Sequence, residues 1–215
     1  MIASDSSWIA TLRQPGAVVF AIMFALESLA RGVIATVIPL QAYELLHENA
    51  RDVSLLYFCA AFSAFALSFA VPALVRRFRR RWVYTMGAGA LILAALLLST
   101  GTILGQGFGM VARAFGAASL GITLNLYVMD HIRPRAMVRS EPLRMMFSAF
   151  PWVVGPPLGV YLHTKVGVGA AEGLSAAVAV VIIVYFWYLR LSENPAVAAA
   201  TRPPPISAPV RLWVV

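Results

Sequence analysis

Six long apolar runs recur along this chain, and each can cross a lipid bilayer. A helical span needs about 20 mostly apolar residues to cover ~30 Å of hydrocarbon. The runs fall at roughly 17–42, 53–75, 82–100, 104–128, 141–163 and 170–190. Lipid offers no partner to backbone N–H and C=O groups, so an open-ended span must be a helix. The alternating strands of about ten residues that a barrel needs are absent from the sequence. Composition agrees: 60% of the 215 residues are hydrophobic and 12% charged, against about half and about a quarter in soluble domains. The expected fold class is therefore an all-α membrane protein of six transmembrane helices. Asp5 and Arg13 precede the first run, which is too long for the apolar part of a signal peptide. Residues 1–16 are expected to be a short cytoplasmic segment and the first run a permanent anchor.

Charge sets the orientation. The formal net charge is +8, which in a soluble domain would suggest nucleic acid. Here the positive charge is gathered in short loops between apolar runs, so no nucleic-acid partner is expected and the bilayer is. Arg13, Arg76, Arg77, Arg79, Arg80, Arg81, Arg133, Arg135, Arg139, Arg144, Arg190, Arg202 and Arg211 all fall on one side. The opposite side carries only Arg51 and Lys165. Basic loops stay in the cytoplasm. Both termini are expected there, in a plasma or inner membrane.

The segment 191–215 holds Pro195, then Pro203, Pro204 and Pro205, then Pro209. Repeated proline forbids a continuous helix and reads as an extended cytoplasmic linker or tail. It closes on Leu212, Trp213, Val214 and Val215, which resemble the approach to another span. Two runs also share a pattern of small residues. The first has Ala21, Ala25, Ser28, Gly32 and Ala35; the fourth has Gly105, Gly109, Ala112, Gly116 and Ser119. Such a stripe lets helix backbones approach closely. Its recurrence three spans apart suggests a three-plus-three inverted repeat.

Charges inside the apolar runs are the candidates for function. Glu27 and Arg31 lie one helical turn apart on one face. Glu27 is about 15 Å into its run, near the midplane. A charge there costs at least ~2.5–3.5 kcal/mol, so both side chains must avoid lipid. They form either a substrate or proton site or an internal ion pair that fixes packing. Arg113, about 13 Å into the fourth run, is expected either at a comparable depth or snorkelling toward the outer interface. Glu27, Arg31 and Arg113 are expected to line one polar cavity between the first and fourth spans, with Asn125 further along that pathway. Two arginines against one acid favour an anionic or carboxylate-bearing substrate. Asp130, at the cytoplasmic end of the fourth run, can reach the Arg76–Arg81 cluster and latch the inner face, or remain a solvated charge. Gly155, Pro156, Pro157 and Gly159 in the fifth run combine close packing with freed carbonyls, as a bent gate needs.

Other chemistry finds no support in the sequence. Cys59 has no partner for a disulfide or a metal site and reads as a small packing residue. His47, His131 and His163 do not cluster, so no metal is expected. There is no Gly-rich phosphate loop, no serine elbow and no pair of membrane aspartates, so neither enzyme activity nor a cofactor is expected.

Taken together, these residues resemble the major facilitator superfamily. The segment from Pro72 to Arg81 is similar to that family's Gly-x-Leu-Ala-Asp-Arg-Phe-Gly-Arg-Arg loop, matching at Leu74, Arg77, Phe78, Arg80 and Arg81. It departs at Pro72, Arg76 and Arg79; Arg76 stands where the family has Asp, and Asp130 is the acid that can compensate. Arg113-Ala114-Phe115-Gly116 is similar to the family's Arg-x-x-x-Gly element, one residue shorter, which implies a proton-linked role for Arg113. Gly155-Pro156-Pro157-Leu158-Gly159 resembles the Gly-Pro-x-x-Gly element frequent in exporters, with Val160 where the family has a further Gly. The resemblance implies half of a twelve-helix transporter, the N-terminal six helices. The expected function is small-molecule transport, with proton-coupled efflux as its specific form. A second six-helix half, in the same polypeptide or as another copy, is the expected partner. The alternative from another class is a non-transporting six-helix scaffold or regulatory subunit.

Overall fold

The computed structural model describes residues 15–131 and 134–189. The expected linker at 191–215 and nearly all of the N-terminal segment 1–16 lie outside the described residues. Among the described residues every regular element is helical, and six segments are long and apolar enough to span a membrane.

The first span is α1 (Pro15–Val33) followed by α2 (Val37–Leu45), and the second is α3 (Ala50–Ser68) followed by α4 (Ala70–Arg77). One physical cause explains both interruptions. Pro39 and Pro72 each fall at the third residue of the second piece, where a missing N–H is tolerated. Their rings crowd the carbonyls four residues earlier, Ala35 and Ser68, at or beside the break. At the first break the chain tightens, with Ala35 N donating to Gly32 O at 3.2 Å. Thr36 Oγ1 donates across to Pro156 O at 3.2 Å, tying the break to the fifth span.

The third span is α5 (Arg80–Leu98) and the fourth α6 (Ile103–His131). The fifth is α7 (Pro134–Tyr161) with a closing π-helical turn, Leu162–Val166. The sixth is α8 (Ala170–Tyr188). α7 begins seven residues ahead of the expected 141. Pro134 suits a first helical position, and the Arg, Ala and Met that follow are good helix formers, so the helix outruns its apolar part. α7 is continuous through Pro142, Pro151, Pro156 and Pro157. Between spans the chain turns on glycine where φ is positive: Gly101 at 61° after α5, and Gly169 at 92° just before α8. Asn49 caps α3 by accepting from Arg51 N at 3.1 Å.

Helix neighbours show how the bundle is built. The second span packs on the fourth, the fourth on the third, the third on the sixth, the sixth on the first, and the first on the fifth; the first and fourth also touch. The order 2–4–3–6–1–5 reads the same backwards after spans one to three are exchanged with four to six. Three spans reverse the chain's direction across the membrane, so the two repeats are inverted. The third and sixth spans sit mid-order around a core of Tyr84, Leu91, Tyr127, Ile182 and Phe186. Phe186 stacks on Tyr84 at 4.3 Å and meets Tyr127 edge-on at 5.6 Å. The flanking spans two and five are the least covered, with 11% and 17% of their apolar windows buried against 33–50% for the other four. Cys59 lies on that open second span and is exposed, not packed. Its small size allowed either placement.

Glycine sets the closest approaches. A Cβ on Gly159 would lie 1.7 Å from Val33 O, and one on Gly155 would lie 2.9 Å from the carbonyl carbon of Gly32. One on Gly116 would meet Gly87 O at 2.7 Å, and one on Gly109 the Leu98 side chain at 2.8 Å. So the two small-residue stripes serve different neighbours: Gly32 of the first span meets the fifth, while Gly109 and Gly116 of the fourth meet the third. The three-plus-three repeat therefore rests on helix order and not on the matching stripes. We expect Gly159→Ala to lower the thermal unfolding midpoint in detergent, at ~1–3 kcal/mol for overpacking. Gly89→Ala meets nothing within 4 Å and should hold or raise it, by ~0.5–1 kcal/mol. Equal midpoints for the two variants would contradict this packing.

Candidate functional site

α1 presents Glu27 toward the fourth span, and the Arg31 guanidinium beside it toward the fifth. Glu27 is buried, and Arg31 Nη1 donates to its Oε1 at 3.1 Å. Across the gap stands Gly121, where even a Cβ would lie 3.8 Å from Glu27 Oε1. The fourth span thus clears room for the acid. Glu27 Oε2 is buried with no hydrogen-bond partner. The Arg31 side chain is 31% exposed, and its guanidinium lies over the Trp152 ring of α7 at 5.8 Å, a cation–π geometry.

Arg113 of α6 meets α1 at the depth expected from the sequence: its Nη2 donates to Arg31 O at 3.2 Å. The contact is to backbone and leaves the Arg113 charge uncompensated. Among the described residues no acid lies within ion-pair distance of Arg113. Arg113 borders a cavity of about 190 Å³ between the first, second and fourth spans, whose walls include Ala35, Tyr57, Ala61, Ala64 and Met110. The three charges expected to line one polar cavity do not all border this one. Arg113 faces this space, whereas Glu27 and Arg31 pair beside it and do not line it.

Nearer the Asp130 end of α6, Arg144 of α7 gathers three spans. Its Nη1 donates to Asn125 Oδ1 of α6, its Nη2 to Glu141 Oε1 of its own helix, and its guanidinium lies 4.4 Å from the Phe24 ring centre of α1. In the sequence Arg144 counts only as one more cytoplasmic-side arginine. Its place beside Asn125 is set by how α7 and α6 cross. Asp130 does reach the Arg76–Arg81 cluster: it pairs with Arg80. Arg76 and Arg77 are exposed, and Arg81 lies within 6.0 Å of the Trp82 and Trp187 ring centres. In helix five, Gly155 and Gly159 are buried against α1, and the Pro156 carbonyl takes the Thr36 bond, so this motif forms the first–fifth contact. Pro157 is exposed.

A second polar group lies at the far end and was not legible as a site. Gln41 Nε2 of α2 donates to Glu172 Oε1 of α8 at 2.7 Å, both fully inside the bundle. Glu44 and the buried His163 stand 3.9 Å apart beside them on α2 and the closing turn of the fifth span. The bond clamps the first span to the sixth. An acid in the first turn of a helix reads as an ordinary dipole partner, so Glu172 carried no signal; only the packing of α2 reveals it.

The Glu27–Arg31 pair is asymmetric, because the acid is buried and the arginine partly exposed. Arg31→Gln leaves Glu27 without its cation. We expect a loss of about 1–3 kcal/mol, discounted from the ~3–5 kcal/mol of a fully buried pair. Glu27→Gln keeps a hydrogen-bond acceptor and leaves Arg31 its exposure, so it should lose less. Denaturation of both variants tests the order, and a greater loss for Glu27→Gln would contradict it.

Comparison with known proteins gives one result. The sequence profile described as Major Facilitator Superfamily matches residues 13–214. No curated protein matches the chain, and no solved structure does. With six spanning helices, an inverted three-plus-three order and charges held at membrane depth, the match covers nearly the whole chain: it belongs to the Major Facilitator Superfamily, a family of secondary transporters, and carries one six-helix half of that fold.

Proposed function

We propose that this chain moves a small molecule across the membrane as the N-terminal half of a proton-coupled exporter, with both termini cytoplasmic. The observation that carries the reading is the Glu27–Arg31–Arg113 arrangement. A carboxylate and two guanidiniums are held at the contact of the first and fourth spans, at a depth where charge is retained only for use or for packing. Glu27 has the form of a proton carrier: Oε1 is held by Arg31, and Oε2 is free to take a proton. Protonation would release Arg31 from its pair, which couples the proton to the neighbouring Arg113.

The need for a second half follows from the same geometry. Secondary transporters hold substrate between two repeats that rock against each other. The first and fourth spans meet between the poorly covered second and fifth, so the charged face belongs against another six-helix body. That body is the remainder of the same polypeptide or another copy. Within this body the Arg80–Asp130 pair ties the third span to the fourth at one end, and the Gln41–Glu172 bond ties the first to the sixth at the other, so that the six helices move as a unit.

The test is reconstitution of residues 1–215 into vesicles loaded with a cell-extract solute mixture, with mass spectrometry of what leaves under an imposed pH gradient. Many copies per vesicle should deplete a discrete solute class in a saturable way, and Glu27→Gln should remove the dependence on the gradient. One copy per vesicle should match protein-free vesicles. No gradient-driven loss at any copy number would overturn pairing of this chain with another copy of itself, whereas saturable flux from single copies would overturn the half-transporter reading.

A further inference from the structure

We propose that the cavity beside Arg113 binds a small organic monocarboxylate with an apolar body. The charge comes first. Arg113 is a cation at membrane depth whose only hydrogen bond among the described residues goes to the backbone carbonyl of Arg31, and its Nε is buried with no partner there. The nearby Glu27 is already engaged by Arg31. The site therefore holds one unspent positive charge in a medium of low dielectric, where an anion is attracted far more strongly than in water.

The walls then narrow the class. Apart from Arg113 and the phenol of Tyr57, every residue bordering the space is Ala, Ile or Met. Alanine on three spans creates the room, and about 190 Å³ holds several heavy atoms, well beyond a single water. A phosphate ester would need several further donors to replace its hydration, and a sugar would leave its hydroxyls unpaired against alanine. An organic cation would be repelled. A monoanion remains, one oxygen pair against the planar guanidinium fork and an apolar remainder along the alanine wall. Arg113 anchors the carboxylate, Tyr57 supplies a flat apolar side and one hydroxyl, and Ala61 and Ala64 set the width.

This deepens the transport reading and rests on it for its biological use, but binding can be measured without flux. The chain in lipid nanodiscs would be titrated calorimetrically with benzoate, benzamide and benzylamine. Benzoate should bind saturably, and the neutral amide and the cation at least about ten-fold more weakly. Arg113→Gln should abolish the preference for benzoate. Should that variant fail to fold, Ala61→Phe decides: it fills the cavity from an exposed position on the second span while leaving Arg113 intact, and it should also lose benzoate. Cys59→Ala, outside the cavity lining, should bind as the parent does. Equal binding of benzoate and benzamide, or unchanged benzoate binding by Ala61→Phe, overturns the proposal. Benzoate binding without vesicle flux counts against pairing with another copy alone; flux with benzoate inert counts against the carboxylate site alone.

Discussion

Lipid cannot solvate the carboxylate of Glu27 or the guanidiniums of Arg31 and Arg113, and the rest of the structure accommodates that fact. The acid is inserted where Gly121 makes room on the facing helix, and its arginine stands one turn above it. Arg113 then takes the backbone carbonyl of Arg31, so three charges occupy a single contact between the first and fourth spans. A packing motif alone would be served better by apolar residues, because a buried ion pair gains little over a hydrophobic contact of similar volume. Retaining an extra arginine is harder still to explain by packing, since it adds charge without a partner.

Backbone chemistry follows the same constraint. Each freed carbonyl or close approach has a local answer. Pro39 and Pro72 break their spans near the ends, where the chain can turn. Thr36 and Gln106 reach across to carbonyls on neighbouring or facing spans, at 3.2 and 2.8 Å. With no hydrophobic drive between helices in lipid, close van der Waals contact must hold the bundle. Glycines supply it at the first–fifth and third–fourth crossings. The palindromic helix order leaves the second and fifth spans at the flanks, and the first and fourth also touch.

Much of this was legible in the sequence, and the reasons differ by residue. Span number follows from run length against bilayer thickness. The Glu27–Arg31 pair follows from helical spacing, and the Arg80–Asp130 pair from which loops share a side. Arg113 was legible because a lone arginine in an apolar run has few places to go. What was hidden depends on how helices cross. Arg144 looks like any loop-side arginine until α7 is seen to begin early and carry it against Asn125 and Phe24. Glu172 looks like a helix-start acid until α2 brings Gln41 to it. The small-residue stripes were visible but not their partners, because spacing fixes which residues share a face and not which helix that face meets.

The central claim is that the contact of the first and fourth spans holds a water-accessible polar site and not a sealed ion pair. Single-cysteine accessibility at positions 27, 31, 113 and 184 in a Cys59→Ala background tests it most directly. Val184 is 62% exposed on the sixth span and serves as the lipid-facing reference. Cysteines replacing Arg31 and Arg113 should react with charged aqueous thiol reagents, that replacing Glu27 more slowly, and that replacing Val184 only with lipid-soluble ones. Reaction at 31 and 113 confined to lipid-soluble reagents, as at 184, would contradict the account.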